Sequence, residues 1–345
     1  MKYKSFGKTG VKVSELILGT WYLPNEIFNG KREVNKENSI KLIRRAYDLG
    51  INFFDTADVY RGVYERDTSS QNFDRVGLAE KLLGEALKGY ERESFVVSTK
   101  VMGRTGPLTN DSGANRKHVR SAIRTSLERL QMDYVDFYII HAPDEVSGID
   151  QTARTMNLLE DEGLILHYGI SNHNALDLVK YLNLKYFAPF EPPDFIQDKY
   201  NLIERELEST NIKIAEDNSL ASMIYSPLAQ GVLAGRYLDK DEGNSRLEYE
   251  KWFSKTDKEG HENKGYALHE KYKSALEKLR EMGSHKGASM SQLALSWLVH
   301  RGKYIFPILG ATRLEQLEEN VKSADITLST SEVDELGKLF GANRE

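Results

Sequence analysis

The chain contains no cysteine, which removes disulfides, thiol nucleophiles and thiolate metal ligands and leaves it compatible with any redox compartment. No apolar run approaches the roughly 18 residues that span a bilayer. The opening Met1-Lys2-Tyr3-Lys4-Ser5-Phe6-Gly7 lacks the apolar stretch of a secretory signal. A cytoplasmic protein with no membrane partner is therefore expected. A formal charge of −5 and a pI near 6.0 give no general attraction to phosphate backbones, and no dense basic patch stands out, so nucleic acid is not an expected partner. Internal repeats and low-complexity tracts are lacking too, which sets aside solenoids and linkers. No Gly-x-Gly-x-x-Gly follows a strand-like run, so the dinucleotide fingerprint of an open doubly wound sheet is missing.

What is present is an ordinary globular composition, 40% hydrophobic and 29% charged over 345 residues, enough to bury a sizeable core. Lys2 to Phe6 and Lys12 to Ser14 flank the turn-rich Gly7-Lys8-Thr9-Gly10 and predict a small hairpin that plugs or precedes the main fold. Short apolar segments then alternate with helical ones. The expected strands are Leu16 to Gly19, Asn52 to Thr56, Phe95 to Lys100, Val135 to His141, Leu166 to Ser171, Phe195 to Tyr200, Ala221 to Ser226 and Tyr304 to Leu309. The expected helices are Asn35 to Leu49, Val76 to Leu87, Arg116 to Leu130, Thr152 to Glu162, Ala175 to Leu182, Glu204 to Asp217, Gln292 to His300 and Arg313 to Lys322. Eight such units predict an α/β fold, a closed (β/α)8 TIM barrel in one domain over residues 1–345. Two charged insertions, Arg61 to Arg75 and Asp239 to Lys264, are expected as extended loops on the C-terminal face, where sites of this fold are built.

Four ionisable residues fall at or just past strand ends: Asp55, Tyr60, Lys100 and His141. Each ends or follows an apolar run and is expected to face one partly desolvated mouth. Singly, each has a plain structural role available: a helix cap, a snorkelling lysine, loop packing, a core histidine. Together they suit carbonyl reduction, in which hydride arriving at carbon leaves an oxyanion that needs a proton. Tyr60 is the expected proton donor. A lysine beside it, itself paired with an aspartate, is expected to lower the tyrosine pKa, and His141 to hydrogen-bond the carbonyl oxygen. None of the four is spaced as a metal ligand set. Trp21 and Tyr22, after the first strand, are candidates for an apolar substrate wall beside Tyr60 and His141. Thr312-Arg313-Leu314-Glu315 has the form of a capping box opening the last barrel helix, a ready anion site where the Arg313 guanidinium could clamp a phosphate.

The segments Asp55-Thr56-Ala57-Asp58-Val59-Tyr60, Ser98-Thr99-Lys100, Ile139-Ile140-His141 and Gly169-Ile170-Ser171-Asn172 resemble the motifs of the aldo-keto reductase superfamily. The likeness continues through Tyr225-Ser226-Pro227-Leu228-Ala229-Gln230-Gly231-Val232-Leu233-Ala234-Gly235-Arg236 and ends in Gly310-Ala311-Thr312-Arg313 with Gln316, Glu319 and Asn320. It implies the tetrad Asp55, Tyr60, Lys100 and His141, with Tyr60 as general acid in reduction and general base in oxidation. It implies that Ser171, Asn172 and Gln197 bind the nicotinamide carboxamide, with Asp55 close by, and that Tyr225 stacks on the ring. Gly19, Thr20 and Trp21 after the first strand, Ser226, Pro227, Leu228, Gln230, Gly231 and Arg236 after the seventh, and Leu309, Gly310, Thr312, Arg313 and Gln316 after the eighth become cofactor contacts. Glu319 and Asn320 are implied at the adenine edge. A guanidinium fitted to a 2′-phosphate favours NADPH (NADP+) over NADH. A small-molecule carbonyl is then the substrate.

Two other readings remain open at this point. The same scaffold resembles the cofactor-binding β-subunits of potassium channels, for which the sequence shows no long N-terminal extension. A barrel aldolase would use Lys100 as a Schiff-base nucleophile, but Asp55 beside it is expected to raise the lysine pKa rather than lower it.

Overall fold

The computed structural model describes residues 1–28, 31–62, 73–235, 238 and 264–341. Strands β1 (Tyr3–Ser5) and β2 (Lys12–Ser14) pair antiparallel. Then come β3 (Ile17–Gly19), the hairpin β4 (Asn25–Phe28) and β5 (Lys31–Val34), α1 (Lys36–Asp48), β6 (Phe53–Asp55) and α2 (Leu78–Leu87). The chain continues through β7 (Val96–Val101), α3 (Arg116–Leu130), β8 (Val135–Ile140), α4 (Ile149–Asp161), β9 (Ile165–Ser171), α5 (Ala175–Asn183), β10 (Phe195–Lys199), α6 (Asn211–Asp217) and β11 (Ala221–Tyr225). The last elements are α7 (Lys264–His285), α8 (Met290–Arg301), β12 (Ile305–Leu309), α9 (Leu314–Val321) and α10 (Thr330–Gly341).

Eight parallel strands close into a barrel in the order β3, β6, β7, β8, β9, β10, β11, β12, with Ile308 and Leu309 of β12 registering against Ile17 and Leu18 of β3. This is the expected (β/α)8 architecture, and all eight strands lie within a residue or two of their expected bounds. Alternation along each strand divides two cores. Ile17, Phe53, Phe137, Ile139, Phe195, Met223 and Phe306 fill the barrel interior, whereas Leu18, Phe54, Val97, Tyr138 and Ile140 face the helices.

The first hairpin is a plug. Phe6, fully buried, sits 4.6 Å from Phe137, 5.0 Å from Phe306, 5.3 Å from Phe195 and 5.5 Å from Phe53, ring centre to ring centre. Gly7 must follow it: its φ is +55°, and a Cβ there would come within 2.6 Å of the Ala221 amide nitrogen.

Several expectations need correction. The helix expected over Glu204 to Asp217 is confined to Asn211–Asp217, because the Asn201 side chain accepts the amides of Ile203 and Glu204 and holds that stretch in a turn. The β4–β5 hairpin was not expected: its strands carry charge on both faces, although the Asn-Gly pair at 29 and 30 is a hairpin signal. Helices α7 and α10 also lie outside the expected set. The insertions 61–75 and 239–264 fall mostly outside the described residues, as does Arg236.

Candidate active site

The tops of β6, β7 and β8 bring the four ionisable residues together. Asp55 is the last residue of β6, Lys100 the penultimate residue of β7, and His141 follows β8. Tyr60 lies on the loop after β6. Its amide donates to the Ala57 carbonyl, and its own carbonyl accepts the Ala79 amide at the head of α2. The adjoining Asp58 amide donates to the Lys100 carbonyl, which ties the loop to β7.

Asp55 is buried and fully engaged. Its Oδ2 accepts from Lys100 Nζ at 2.7 Å, and its Oδ1 accepts from Ser98 Oγ at 2.7 Å and Gln197 Nε2 at 3.0 Å. Lys100 Nζ also donates to the Thr56 carbonyl at 2.7 Å and lies 4.7 Å from the centre of the Tyr60 ring. The His141 ring meets the Tyr60 ring edge to face at 5.7 Å.

Electrostatics divide the roles. Burial alone would push the Lys100 ammonium down, but the Asp55 carboxylate, with Tyr60, holds it above its ordinary value and therefore charged. Burial, aided by the Lys100 charge, drives His141 down to about 3, so its imidazole is neutral at physiological pH. The expectation for Tyr60 was wrong in sign. Burial raises its pKa more than the neighbouring ammonium lowers it, and Asp55 adds to the rise. Tyr60 is thus a well-held proton, not an incipient phenolate.

Residues not singled out from the sequence support this group. Ser98 shares the inward face with Lys100 two residues on, a signal the strand period carries. Behind the sheet, Asp58 is buried, and burial first and then Glu80 push its carboxyl well above the usual carboxylate range. Arg129 donates to the Asp58 carbonyl at 3.1 Å and to Glu80 at 3.0 Å, clamping the Tyr60 loop from outside. Asp198 accepts the Asn172 amide at 2.9 Å and fixes that residue at φ 61°.

The remaining candidates ring the same mouth. Asn172 donates to the His141 carbonyl and to Ser171 Oγ, both at 2.9 Å, and accepts the Tyr225 hydroxyl at 2.7 Å. Past Tyr225 and Pro227, Ser226, Ala229, Gln230 and Gly231 all have positive φ, with Leu228 opening the short helical turn between them. Gly19 pairs with Asp55 across β3 and β6, and a Cβ there would meet Ile308 at 2.7 Å. The Thr20 hydroxyl is taken up by the Asp55 carbonyl at 3.1 Å. Trp21 stands 5.2 Å from Tyr22 and 6.3 Å from Tyr60, so the aromatic pair does flank the group.

At the end of β12, Leu309 is buried and space opens beside Gly310. The expected capping box at Thr312 does not form. The helix starts one residue later with Arg313 as N-cap, and Gln316 Oε1 reaches back to accept the Thr312 amide at 3.1 Å. The position of Gln316 at N3 of that later start explains the shift. Arg313 is exposed and has no ion-pair partner among the described residues. Glu319 accepts from Ser291 Oγ at 3.2 Å, and Asn320 is buried.

This barrel, with its four ionisable residues at one mouth, matches the aldo/keto reductase family over residues 15–340. The chain belongs to the aldo/keto reductase family. It is 33% identical over 342 residues to a probable voltage-gated potassium channel subunit beta of Oryza sativa, covering 96% of this chain and 94% of that protein. A protein of the same description from Arabidopsis thaliana is 31% identical, covering 94% and 92%. The L-glyceraldehyde 3-phosphate reductase of Escherichia coli is 31% identical over 339 residues, covering 96% and 90%. Among the described residues no helix is long and apolar enough to cross a membrane, and no cluster of His, Asp and Glu is suited to hold a metal ion.

Proposed function

We propose that this family member is an NADPH-dependent oxidoreductase that reduces an aldehyde or ketone to the alcohol, with Tyr60 as general acid. The observation that carries the reading is the joint state of three neighbours: a charged Lys100 locked on Asp55, a neutral His141, and a protonated Tyr60 between them. When bound, the reduced nicotinamide supplies the hydride. The neutral His141 imidazole donates a hydrogen bond to the carbonyl oxygen and orients it. Tyr60 gives its proton to that oxygen as charge develops. The Lys100 ammonium offsets the phenolate left behind, and Asp55 keeps Lys100 charged without competing for the proton.

The residues present fit a dinucleotide. Gln197, whose amide nitrogen donates to Asp55 and to Met223 Sδ, has a carbonyl oxygen besides, and Ser171 and Asn172 add polar groups suited to a carboxamide. The half-buried Tyr225 offers a ring face. The positive-φ run after it turns the chain sharply, with the Ala229 and Gly231 amides held by the Ser226 and Leu228 carbonyls. Arg313, exposed and without an ion-pair partner among the described residues, follows the open space at Gly310, suits a 2′-phosphate and supports NADPH over NADH.

The test is the loss of NADPH absorbance with a reactive aldehyde. Tyr60→Phe should lower kcat by about 10²–10⁴-fold while cofactor binding survives. Arg313→Ala should weaken NADPH by roughly tenfold or more and leave NADH unchanged. The reductase relative supports including phosphorylated short-chain aldehydes among the substrates tried. The two channel-subunit relatives favour a second reading, a cofactor-binding regulatory protein. Tight NADPH binding without turnover of any carbonyl would select it.

A further inference from the structure

The barrel has a second mouth. At its N-terminal end, opposite the strand tops that carry Asp55 and Lys100, a cavity of about 670 Å³ opens between the first hairpin and the segment that enters β12. Barrel strands of three to seven residues at about 3.3 Å each and the Phe6 aromatic layer separate the two ends. In a chain of net charge −5, this cavity gathers Lys4, Lys8, Lys12 and Lys303 with His300, against one carboxylate, Glu15.

Three of those lysines have no carboxylate within ion-pair distance among the described residues. Lys8 alone is paired, with Asp194 at 3.2 Å. Lys4 Nζ is anchored to the Ile305 carbonyl at 2.9 Å and lies 4.6 Å from the centre of the Phe306 ring. Lys12 Nζ donates to the Ser5 hydroxyl at 3.0 Å. Lys303 lies 4.8 Å from the centre of the Tyr304 ring. Burial pushes the Lys4 ammonium down to about 8, with Glu15 only partly opposing it, so this charge stands in the cavity under-compensated. Glu15 has a matching deficit, because its Oε2 is buried without a hydrogen-bond donor.

A single ligand answers both. We propose that this cavity is a binding site for a small hydroxylated anion of the sugar-phosphate class, separate from the catalytic mouth. Its phosphate sits among Lys4, Lys12 and Lys303, where charge-assisted bonds replace the missing counter-ions. A ligand hydroxyl donates to the accessible side of the Glu15 carboxylate, which lines the cavity, and no bare inorganic anion without a proton to give can do this. The carboxylate thereby selects polyol phosphates over fully ionised anions, and repels the latter.

The experiment is calorimetric titration of the full chain with sorbitol 6-phosphate, which has no carbonyl to reduce, and with inorganic sulfate, which has no proton to give at neutral pH. It reads binding without reference to turnover, so it stands or falls apart from the reductase reading. Expected is one site that prefers sorbitol 6-phosphate, weakened about tenfold by Lys4→Met and again by Lys303→Met, and untouched by Arg313→Ala at the other end of the barrel. Lys303 is exposed, so its variant reports on the site even if Lys4→Met fails to fold. Glu15→Gln should bring the two ligands to similar affinity. Absence of binding at millimolar ligand, or binding lost in Arg313→Ala and kept in Lys303→Met, overturns the site. Capture by phosphatidylinositol phosphate vesicles without sorbitol 6-phosphate binding overturns a soluble ligand.

Discussion

Replacing Asp55 by Asn should convert a well-compensated buried charge into a costly one. The Lys100–Asp55 pair spans 2.7 Å with side chains 0% and 4% exposed. At 4 Å two unit charges attract by about 4 kcal/mol in an effective dielectric near 20. Breaking a buried pair by removing one partner costs about 3–5 kcal/mol, because the other charge stays behind uncompensated. Asp55→Asn and Lys100→Met should each lose about that much stability, while the double variant should lose less than their sum by about 2 kcal/mol or more. The pH dependence has a definite sign. In the wild type the folded-state pKa of Lys100 is raised, so its stabilisation is complete below the unfolded value near 10.4 and lost as pH rises through the folded value. In Asp55→Asn burial is opposed by Tyr60 alone, the folded pKa falls below the unfolded one, and the deficit should shrink as pH rises from neutral towards 10. Urea unfolding of the four proteins at pH 6.5 and 9.5 measures both. Additivity within about 0.5 kcal/mol, or an equal deficit at the two pH values, would refute the reasoning.

His141, pushed down to about 3, gains stability for the fold above its unfolded value near 6.5 that is lost as pH falls through the folded value. His141→Gln should therefore flatten the acid side of the stability curve between pH 6.5 and 3, and lower kcat/KM about 10²-fold without changing NADPH affinity. Phe6→Ala empties the plug beneath four aromatic rings and should cost about 3–5 kcal/mol, read as a fall in unfolding midpoint with little change in KM. Ser98→Ala removes a 2.7 Å donor from the Asp55 carboxylate, at a cost of about 1.5–3 kcal/mol. Ser98→Thr, which keeps the hydroxyl, should restore kcat if the donor and not the packing matters.

The barrel was legible because most of its strands, buried on both faces, read as short, largely apolar runs, and several end at a polar residue, as in Phe137 to His141. The four ionisable residues followed from those same ends. What escaped had physical reasons. The β4–β5 hairpin lacks an apolar face to alternate. Asn201 captures two amides and stops a helix whose composition is good. At the start of α9, one residue later than expected, Gln316 accepts the Thr312 amide, the bond that Glu315 was expected to make in a capping box. Ser98, Asp58, Glu80 and Arg129 converge from β7, the Tyr60 loop, α2 and α3, and convergence across helix layers leaves no local period to read. The sign of the Tyr60 shift needed the depth of burial, which sequence neighbours do not supply.

That sign has a consequence for the direction of the proposed reaction. A tyrosine whose proton is held more tightly than in water is in its donor form throughout the neutral range, so the reductive step needs no prior ionisation. The reverse step needs the phenolate, whose population rises about tenfold per pH unit below the pKa. Reduction measured as kcat should therefore be flat between pH 6 and 9, while alcohol oxidation should climb across the same interval. Lys100 is the group that opposes burial at Tyr60. Lys100→Met should slow both directions and move the oxidative limb to higher pH, because nothing then offsets desolvation of the phenolate. An oxidative limb that stays put or moves to lower pH in that variant would mean that the titrating group is not Tyr60.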